Sequence, residues 1–131
     1  VDIDELTALS EQPGALLNPD SFEQLFRQWG VRSDTPIVIY DDGEMKFAAR
    51  LHFLLTHFGG PPSFMVNGGA PALRPLLPQR PGVAVASSFE ATVVNEPIAL
   101  VFQEEVEAAL GTQVKIIDVR TPAEYNGDLL L

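Results

Sequence analysis

Acidic side chains stand where apolar runs of this 131-residue chain end, and they are its first candidates for chemistry. Asp41, Asp42 and Glu44 follow the apolar run of residues 36–40, and Asp118 ends a later run. Ligands of α/β folds commonly bind at the carboxyl ends of strands. Asp41, Asp42 and Glu44 could therefore hold a cation. However, the sequence Asp-Asp-Gly-Glu lacks the alternating ligand spacing of a calcium loop. A solvated acidic turn is the simpler interpretation.

Two classes of protein that form a phosphoaspartate also carry the reacting aspartate at the end of a strand. An enzyme of the haloacid dehalogenase type needs a second aspartate two residues after the first, and that position is Gly43. A receiver domain opens with a strand and paired acids, as residues 37–42 do, and its phosphoacceptor would then be Asp118. The segment between them is too long for a receiver domain, and its lysine-bearing final strand is missing. The sequence disfavours both.

The other candidate nucleophiles and ligands do not combine into a catalytic site. The chain has no cysteine, which excludes disulfides, thiolate metal sites and a cysteine nucleophile within it. His52 and His57 are five residues apart on one predicted helix, so they do not share a face as a metal-binding pair does. The Gly-Gly pair at 68–69 lacks a phosphate-loop context, and the Ser-Ser pair at 87–88 lacks a nucleophile elbow. We therefore predict no metal, no cofactor and no self-contained catalytic constellation.

Composition limits the partners of the chain. It has 18 acidic and 8 basic residues, a net charge of −10, and 46% hydrophobic residues, which is typical of a globular domain. The pI near 4.4 disfavours nucleic acid, whose phosphates need clustered Lys and Arg. No long apolar run predicts a membrane span, and no basic-then-apolar start predicts a signal peptide. We expect a soluble protein. The sequence does not assign a cellular compartment, but it favours the cytoplasm over export.

The first half of the chain predicts a helix followed by a strand–helix–strand unit. Asn18 and Pro19 suit a helix start, and an apolar stripe follows at helical spacing, formed by Phe22, Leu25, Phe26 and Trp29. The non-alternating run at 36–40 predicts a strand buried on both faces. A helix is predicted from about Lys46 to the Gly-Gly pair at 59–60, and a second buried strand at 64–66. The two strands should pair in parallel.

The second half of the chain is more irregular. Four prolines between residues 71 and 82 allow at most a short helix, and residues 83–101 read as an extended connector. A short helix is predicted at 103–110 and a third strand at 114–118. Thr121 and Glu124 have the spacing of a capping box, which predicts that a helix begins there.

These segments, in this order, suggest a family. The stretch from residue 16 to 69, "LLNPDSFEQLFRQWGVRSDTPIVIYDDGEMKFAARLHFLLTHFGGPPSFMVNGG", resembles the first domain of a two-domain rhodanese-type sulfurtransferase. The tail "VKIIDVRTPAEYNG" resembles the opening of a second rhodanese module. The resemblance implies an α/β fold with a rhodanese-like parallel sheet and helices on both faces, incomplete or strand-complemented. It divides the chain into the end of an inactive first domain (1–82), a connector (83–102) and the beginning of a second domain (103–131).

The resemblance also implies a function. The family passes sulfane sulfur from thiosulfate or 3-mercaptopyruvate to cyanide or a thiol, through a cysteine persulfide in a loop of the second domain. Asp41 occupies the cysteine-equivalent position of the first domain, and a carboxylate cannot hold sulfane sulfur. We therefore expect this chain alone to be inactive, although its parent would be a sulfurtransferase that takes a small sulfur-containing substrate. The alternative is a cysteine-free rhodanese-like module for binding or regulation.

Six further positions match or depart from the family pattern. Arg50 matches an arginine in the helix after the loop, which we expect to tie that loop to acids such as Asp41. The Gly-Gly pair that ends the second strand is Gly68 and Gly69. Asp118 and Arg120 match the family's "DvR" pair. Glu124 is a departure, because many tandem enzymes carry a substrate-binding arginine there, before the aromatic residue.

The resemblance predicts a fragment with an unfilled strand position. The family's first domain opens with its own "DvR" strand, and this sequence has no match to it. We therefore expect a vacant strand position in the parallel sheet. Residues 114–119 are the homologous strand of the next module. We expect them to fill that slot beside Val38, either within the chain or swapped between two chains as a dimer. The other expected partner of this chain is the rest of the second domain.

Overall fold

A computed structural model describes residues 18–76, 82–94 and 101–128. The chain divides into two compact units, Val1–Ala99 and Leu100–Leu131. The first unit contains α1 (Pro19–Gln28), β1 (Ile37–Ile39), α2 (Lys46–His57), β2 (Ser63–Met65) and α3 (Gly69–Leu73). The second contains α4 (Gln103–Ala109) and α5 (Pro122–Asn126). No described helix is long and apolar enough to cross a membrane.

Helix α1 forms as its sequence pattern predicts. The Asn18 side chain accepts a hydrogen bond from the Asp20 N–H at 2.9 Å, which satisfies one of the unpaired donors of the first turn. The buried residues of the helix are Phe22, Leu25 and Phe26, all on the predicted stripe. Trp29 lies partly buried against the same core. The interpretation of this stripe as a core face is confirmed.

Strands β1 and β2 form the parallel pair that the strand–helix–strand pattern predicts. Val38 aligns with Phe64 at the centre of the pair, and α2 connects the two strands. In the described residues the sheet has these two strands. The architecture is an incomplete α/β fold with a small parallel sheet and packed helices.

The two faces of this sheet differ in burial. Ile39 is buried in the core with residues of α1 and α2. Val38 and its partner Phe64 point to the other face, where they are 58% and 60% exposed. The expectation that the strands are buried on both faces is wrong for this side, because no described residue covers it.

An aromatic cluster forms the centre of the first unit. The rings of Phe22 and Phe58 stack with centroids 4.4 Å apart, and Phe26 meets Phe89 edge-on at 5.3 Å. All four side chains are at most 2% exposed. The cluster joins α1, the end of α2 and the 82–94 segment into one core.

Residues 82–94, which cover the first part of the predicted connector (83–102), pack against the ends of both long helices without forming a strand. The N–H of Ser87 donates to the carbonyl of Arg27 at 3.0 Å, and the N–H of Val94 donates to the carbonyl of His57 at 2.7 Å. These are carbonyls of the last helical turns, which lack partners within the helix. The segment thus caps α1 and α2 while Phe89 enters the core.

The second unit has little packing of its own. Neither α4 nor α5 has a buried residue. Both helices lie where they were predicted, but residues 114–119 form no strand, so the prediction of a third strand at 114–118 is wrong. A strand requires a neighbour for its ladder hydrogen bonds, and the described sheet contains β1 and β2 alone.

Candidate functional site

The loop after β1 closes around the carboxylate of Asp41. One carboxylate oxygen accepts hydrogen bonds from the N–H groups of Gly43 at 2.9 Å and Met45 at 3.1 Å. The other oxygen accepts from the N–H of Ala48 at 3.2 Å. We call this carboxylate with its three backbone donors the Asp41 cradle. It is an anion site built from backbone and occupied by the chain's own side chain.

The cradle completes the start of α2. The N-cap residue Met45 has a left-handed backbone, with φ at 65°, and its side chain makes no capping hydrogen bond. The first N–H groups of a helix have no intrahelical partner and carry partial positive charge. The Asp41 carboxylate, five residues before the helix, supplies the missing acceptor. The pKa of Asp41 is lowered mainly because the Gly43 N–H donates to its carboxylate, although partial burial acts in the opposite direction.

The predicted glycine pair lies against this loop. The N–H of Ala70 donates to the carbonyl of Asp41 at 2.6 Å, which brings the start of α3 beside the end of β1. A Cβ added to Gly69 would lie 2.5 Å from that carbonyl oxygen and 2.6 Å from the Gly43 nitrogen. Gly68 has φ at 85° and Gly69 at 56°, both in the left-handed region. The structure therefore brings Asp41, Gly68 and Gly69 together.

Substitution of Gly69 by alanine is expected to destabilise the first unit by about 1–3 kcal/mol, because the new Cβ meets backbone atoms that cannot rotate away. The measurement is chemical unfolding followed by tryptophan fluorescence. Gly82→Ala is the matched control, since a Cβ there meets nothing within 4 Å, and it should change stability by less than about 0.5 kcal/mol. Equal stability of the two variants would contradict the close approach.

Arg50 lies in the middle of α2, where it is partly buried. Among the described residues the ion pairs join Arg27 to Glu23, Arg32 to Asp34 and Arg120 to Asp118. No pair between Arg50 and Asp41 is among them, so the role expected for Arg50 stays a prediction.

The geometry of the acidic turn disfavours a cation. Both oxygens of Asp41 face N–H donors, an arrangement that attracts anions and repels cations. Asp42 accepts one long hydrogen bond from the Glu44 N–H at 3.4 Å. Within the described ranges, no three His, Asp or Glu side chains are grouped as metal ligands would be.

The second unit organises its own part of the family pattern. Arg120 pairs with Asp118 at 2.7 Å, and its backbone N–H donates to the same carboxylate at 3.0 Å. The guanidinium carbon also lies 5.1 Å from the centre of the Tyr125 ring, within cation–π range. These contacts hold the turn before α5 in one shape.

Glu124 serves helix α5 in this structure. Its carboxylate accepts a hydrogen bond from the Thr121 N–H at 2.7 Å, while the Thr121 hydroxyl accepts from the Glu124 N–H at 3.3 Å. This is the predicted capping box, so the prediction that a helix begins at Thr121 is confirmed. A carboxylate used in this way contributes no positive charge for a substrate anion.

Lowering the pH should open the Asp118–Arg120 pair only in strong acid. Hydrogen bonds from the Arg120 guanidinium lower the pKa of Asp118 from 3.8 to about 2. A depressed pKa means that the pair is complete above the ordinary value and is lost as the pH falls towards 2. Carboxyl-carbon NMR should find this midpoint, and Arg120→Gln should return it towards 3.8. An unchanged midpoint in the variant would contradict the pairing.

The sequence pattern indicates Asp41 as a candidate but does not indicate which groups bind its carboxylate. The donors are the backbone N–H groups of Gly43, Met45 and Ala48, which no side-chain motif reveals. One signal was available, because an aspartate followed two residues later by glycine favours an Asx turn. The longer reach to Ala48 depends on the position of α2 relative to β1.

Comparison with known proteins finds several relatives of one kind. The chain is 33% identical over 135 residues to the thiosulfate sulfurtransferase of Azotobacter vinelandii, covering 95% of this chain and 48% of the relative. It is 31% identical over 123 residues to that of Pseudomonas aeruginosa, covering 91% and 45%. It is 28% identical over 131 residues to the 3-mercaptopyruvate sulfurtransferase of Escherichia coli, covering 95% and 47%. The chain thus spans less than half the length of these relatives. No protein-family model matches it.

Proposed function

Because the chain belongs to the rhodanese-type sulfurtransferase family, we propose that it is a non-catalytic part of a sulfurtransferase. In this proposal the first unit is a cysteine-free module and residues 103–131 are the beginning of a second module. The reacting thiol belongs to a segment that these 131 residues do not contain.

The Asp41 cradle is the observation that carries this proposal. Sulfur transfer through a persulfide needs a polarisable thiolate nucleophile, held where backbone N–H groups stabilise its charge. The loop after β1 has the donors, but a carboxylate fills it, and the chain has no cysteine to replace it. A carboxylate oxygen in this position is a hard, weak nucleophile that is already hydrogen-bonded on both sides.

The whole protein would then use a cysteine elsewhere. Its thiolate attacks the outer sulfur of thiosulfate, the sulfur–sulfur bond breaks, and sulfite leaves with the electron pair. With 3-mercaptopyruvate the carbon–sulfur bond breaks and pyruvate is released after protonation. Cyanide or a second thiol then removes the outer persulfide sulfur and regenerates the cysteine thiolate. The names of the relatives support both donors.

Turnover assays test this proposal. The purified 131-residue chain should form no thiocyanate from thiosulfate and cyanide, and no pyruvate from 3-mercaptopyruvate, above the rate without protein. The Escherichia coli relative under the same conditions is the positive control. Turnover by the chain itself would overturn the non-catalytic assignment.

The product of the whole gene separates the two candidate functions. If the protein is a sulfurtransferase, the gene product should be active with at least one donor and should lose that activity after thiol alkylation. An inactive gene product would contradict the enzyme and favour a rhodanese-like module for binding or regulation.

A further inference from the structure

Within residues 18–76, 82–94 and 101–128, one hydrogen-bonding edge of strand β1 has no neighbouring strand. The N–H of Ile37 donates to Pro62 at 2.9 Å, and the carbonyl of Ile39 accepts from Val66 at 3.0 Å, so these peptide groups face β2. Successive peptide groups of a strand alternate in direction, so those of Val38 point away from β2. The described sheet has no strand on that side. Such an edge is a template for pairing with another chain.

An exposed apolar surface adjoins this edge. Val38 is 58% exposed and Phe64 60%, and both belong to the uncovered face of the sheet. Tyr40, the residue after β1, is 42% exposed. A two-stranded sheet is marginally stable without a further strand or a covering layer. The edge and the face beside it could therefore gain a third strand and a cover from one segment.

The second unit carries a strand-forming segment without a ladder. Residues 114–119 are rich in β-branched side chains, and none of them lies in a strand. Val114, Ile116, Ile117 and Val119 are between 53% and 91% exposed. A run of this type gains hydrogen bonds and burial when it pairs with a sheet edge.

We propose that two copies of this chain form a dimer in which residues 114–119 of each copy add as a parallel strand to the free edge of β1 in the other. The contact occurs twice, so the assembly closes as a two-fold dimer. Ile116 of one copy aligns with Val38 of its partner. This inference does not depend on the proposed function.

Local charge supports the parallel direction of the added strand. With Ile116 opposite Val38, the turns that follow the two strands lie side by side, which brings the Asp118–Arg120 pair near the acidic turn of Asp42 and Glu44. Two chains of net charge −10 repel each other at long range, but salt screens this repulsion with a Debye length of about 8 Å at physiological ionic strength. Raising the salt concentration from a low value should therefore favour the dimer.

The mass in solution gives the first test. Sedimentation or light scattering over a concentration series should show conversion from the 14.2 kDa monomer to a particle of twice that mass. Ile116→Asp should weaken the dimer at least about tenfold, since it places a charge on the apolar face of the added strand. Val83→Asp is the matched control, because Val83 is 93% exposed and outside the proposed interface. A monomer at all concentrations, or equal weakening by both variants, would overturn the proposal.

Disulfide trapping gives a second readout that does not rely on a disrupted variant. The chain has no cysteine, so single substitutions report unambiguously. A mixture of the Val38→Cys and Ile116→Cys chains should form a disulfide-linked heterodimer under mild oxidation. Leu110→Cys in place of Ile116→Cys is the control, since Leu110 is 64% exposed in the same unit. Equal trapping by the control, or a disulfide formed only within one doubly substituted chain, would overturn the exchange between copies.

Discussion

Replacement of Phe26 by alanine is expected to lower the free energy of unfolding by about 3–5 kcal/mol, the range for truncating a buried aromatic side chain. Phe26 is fully buried, and its ring meets those of Phe22 and Phe89. The variant would leave a cavity where α1 and the 82–94 segment converge. Urea unfolding followed by tryptophan fluorescence measures the change directly, because Trp29 lies beside Phe26.

Phe102→Ala provides the control for this change. It removes the same side chain at a position that is 60% exposed, so its effect should stay within about 0.5 kcal/mol. A small loss in Phe26→Ala, similar to that of the control, would mean that the aromatic cluster does not hold the first unit together. A domain of this size is typically stable by only about 5–15 kcal/mol, so the predicted loss is a large part of the total.

Replacement of Asp41 by cysteine is expected to produce a thiol with a pKa well below the ordinary value of about 8.5. The N–H groups of Gly43, Met45 and Ala48 that now donate to the carboxylate would face the sulfur. Backbone donors at a helix N-terminus stabilise a thiolate more than a neutral thiol. Each unit of pKa decrease raises the ratio of thiolate to thiol at a given pH about tenfold. The pH dependence of alkylation by iodoacetamide measures this pKa.

The adjacent position supplies the matched control for the cysteine variant. Asp42 is exposed and accepts only a 3.4 Å hydrogen bond, from the Glu44 N–H. Asp42→Cys should therefore titrate near the ordinary thiol value. If both variants titrate alike, the donors are not directed at residue 41 and the anion cradle does not exist.

Local patterns in the sequence predicted the elements that depend on local physics. Helix α1 begins at an Asn-Pro start and buries its apolar stripe, and α5 begins at the Thr121 capping box. Both depend on contacts within one or two turns. The parallel pairing of β1 and β2 was also predictable, because a helix of this length between two short strands favours a parallel crossover.

The features that were missed depend on contacts between distant parts of the chain. Residues 83–94 look like a linker in sequence, yet Phe89 enters the core and the backbone caps two helices. Residues 114–119 look like a strand, yet β-propensity without a partner edge forms no ladder. Arg50 could be assigned to Asp41 by charge alone, whereas the structure satisfies that carboxylate with backbone donors. Sequence identifies groups that need a partner more readily than it identifies the partner.

The most direct test of the non-catalytic assignment is the intact mass of the chain after incubation with thiosulfate or 3-mercaptopyruvate. We predict that the natural chain keeps its mass, because the carboxylate of Asp41 cannot accept sulfane sulfur. The Asp41→Cys variant should gain one sulfur atom, which cyanide then removes as thiocyanate. Added sulfur on the natural chain, or a variant that remains unmodified with both donors, would contradict the view that the loop after β1 is a persulfide-type cradle filled by a carboxylate.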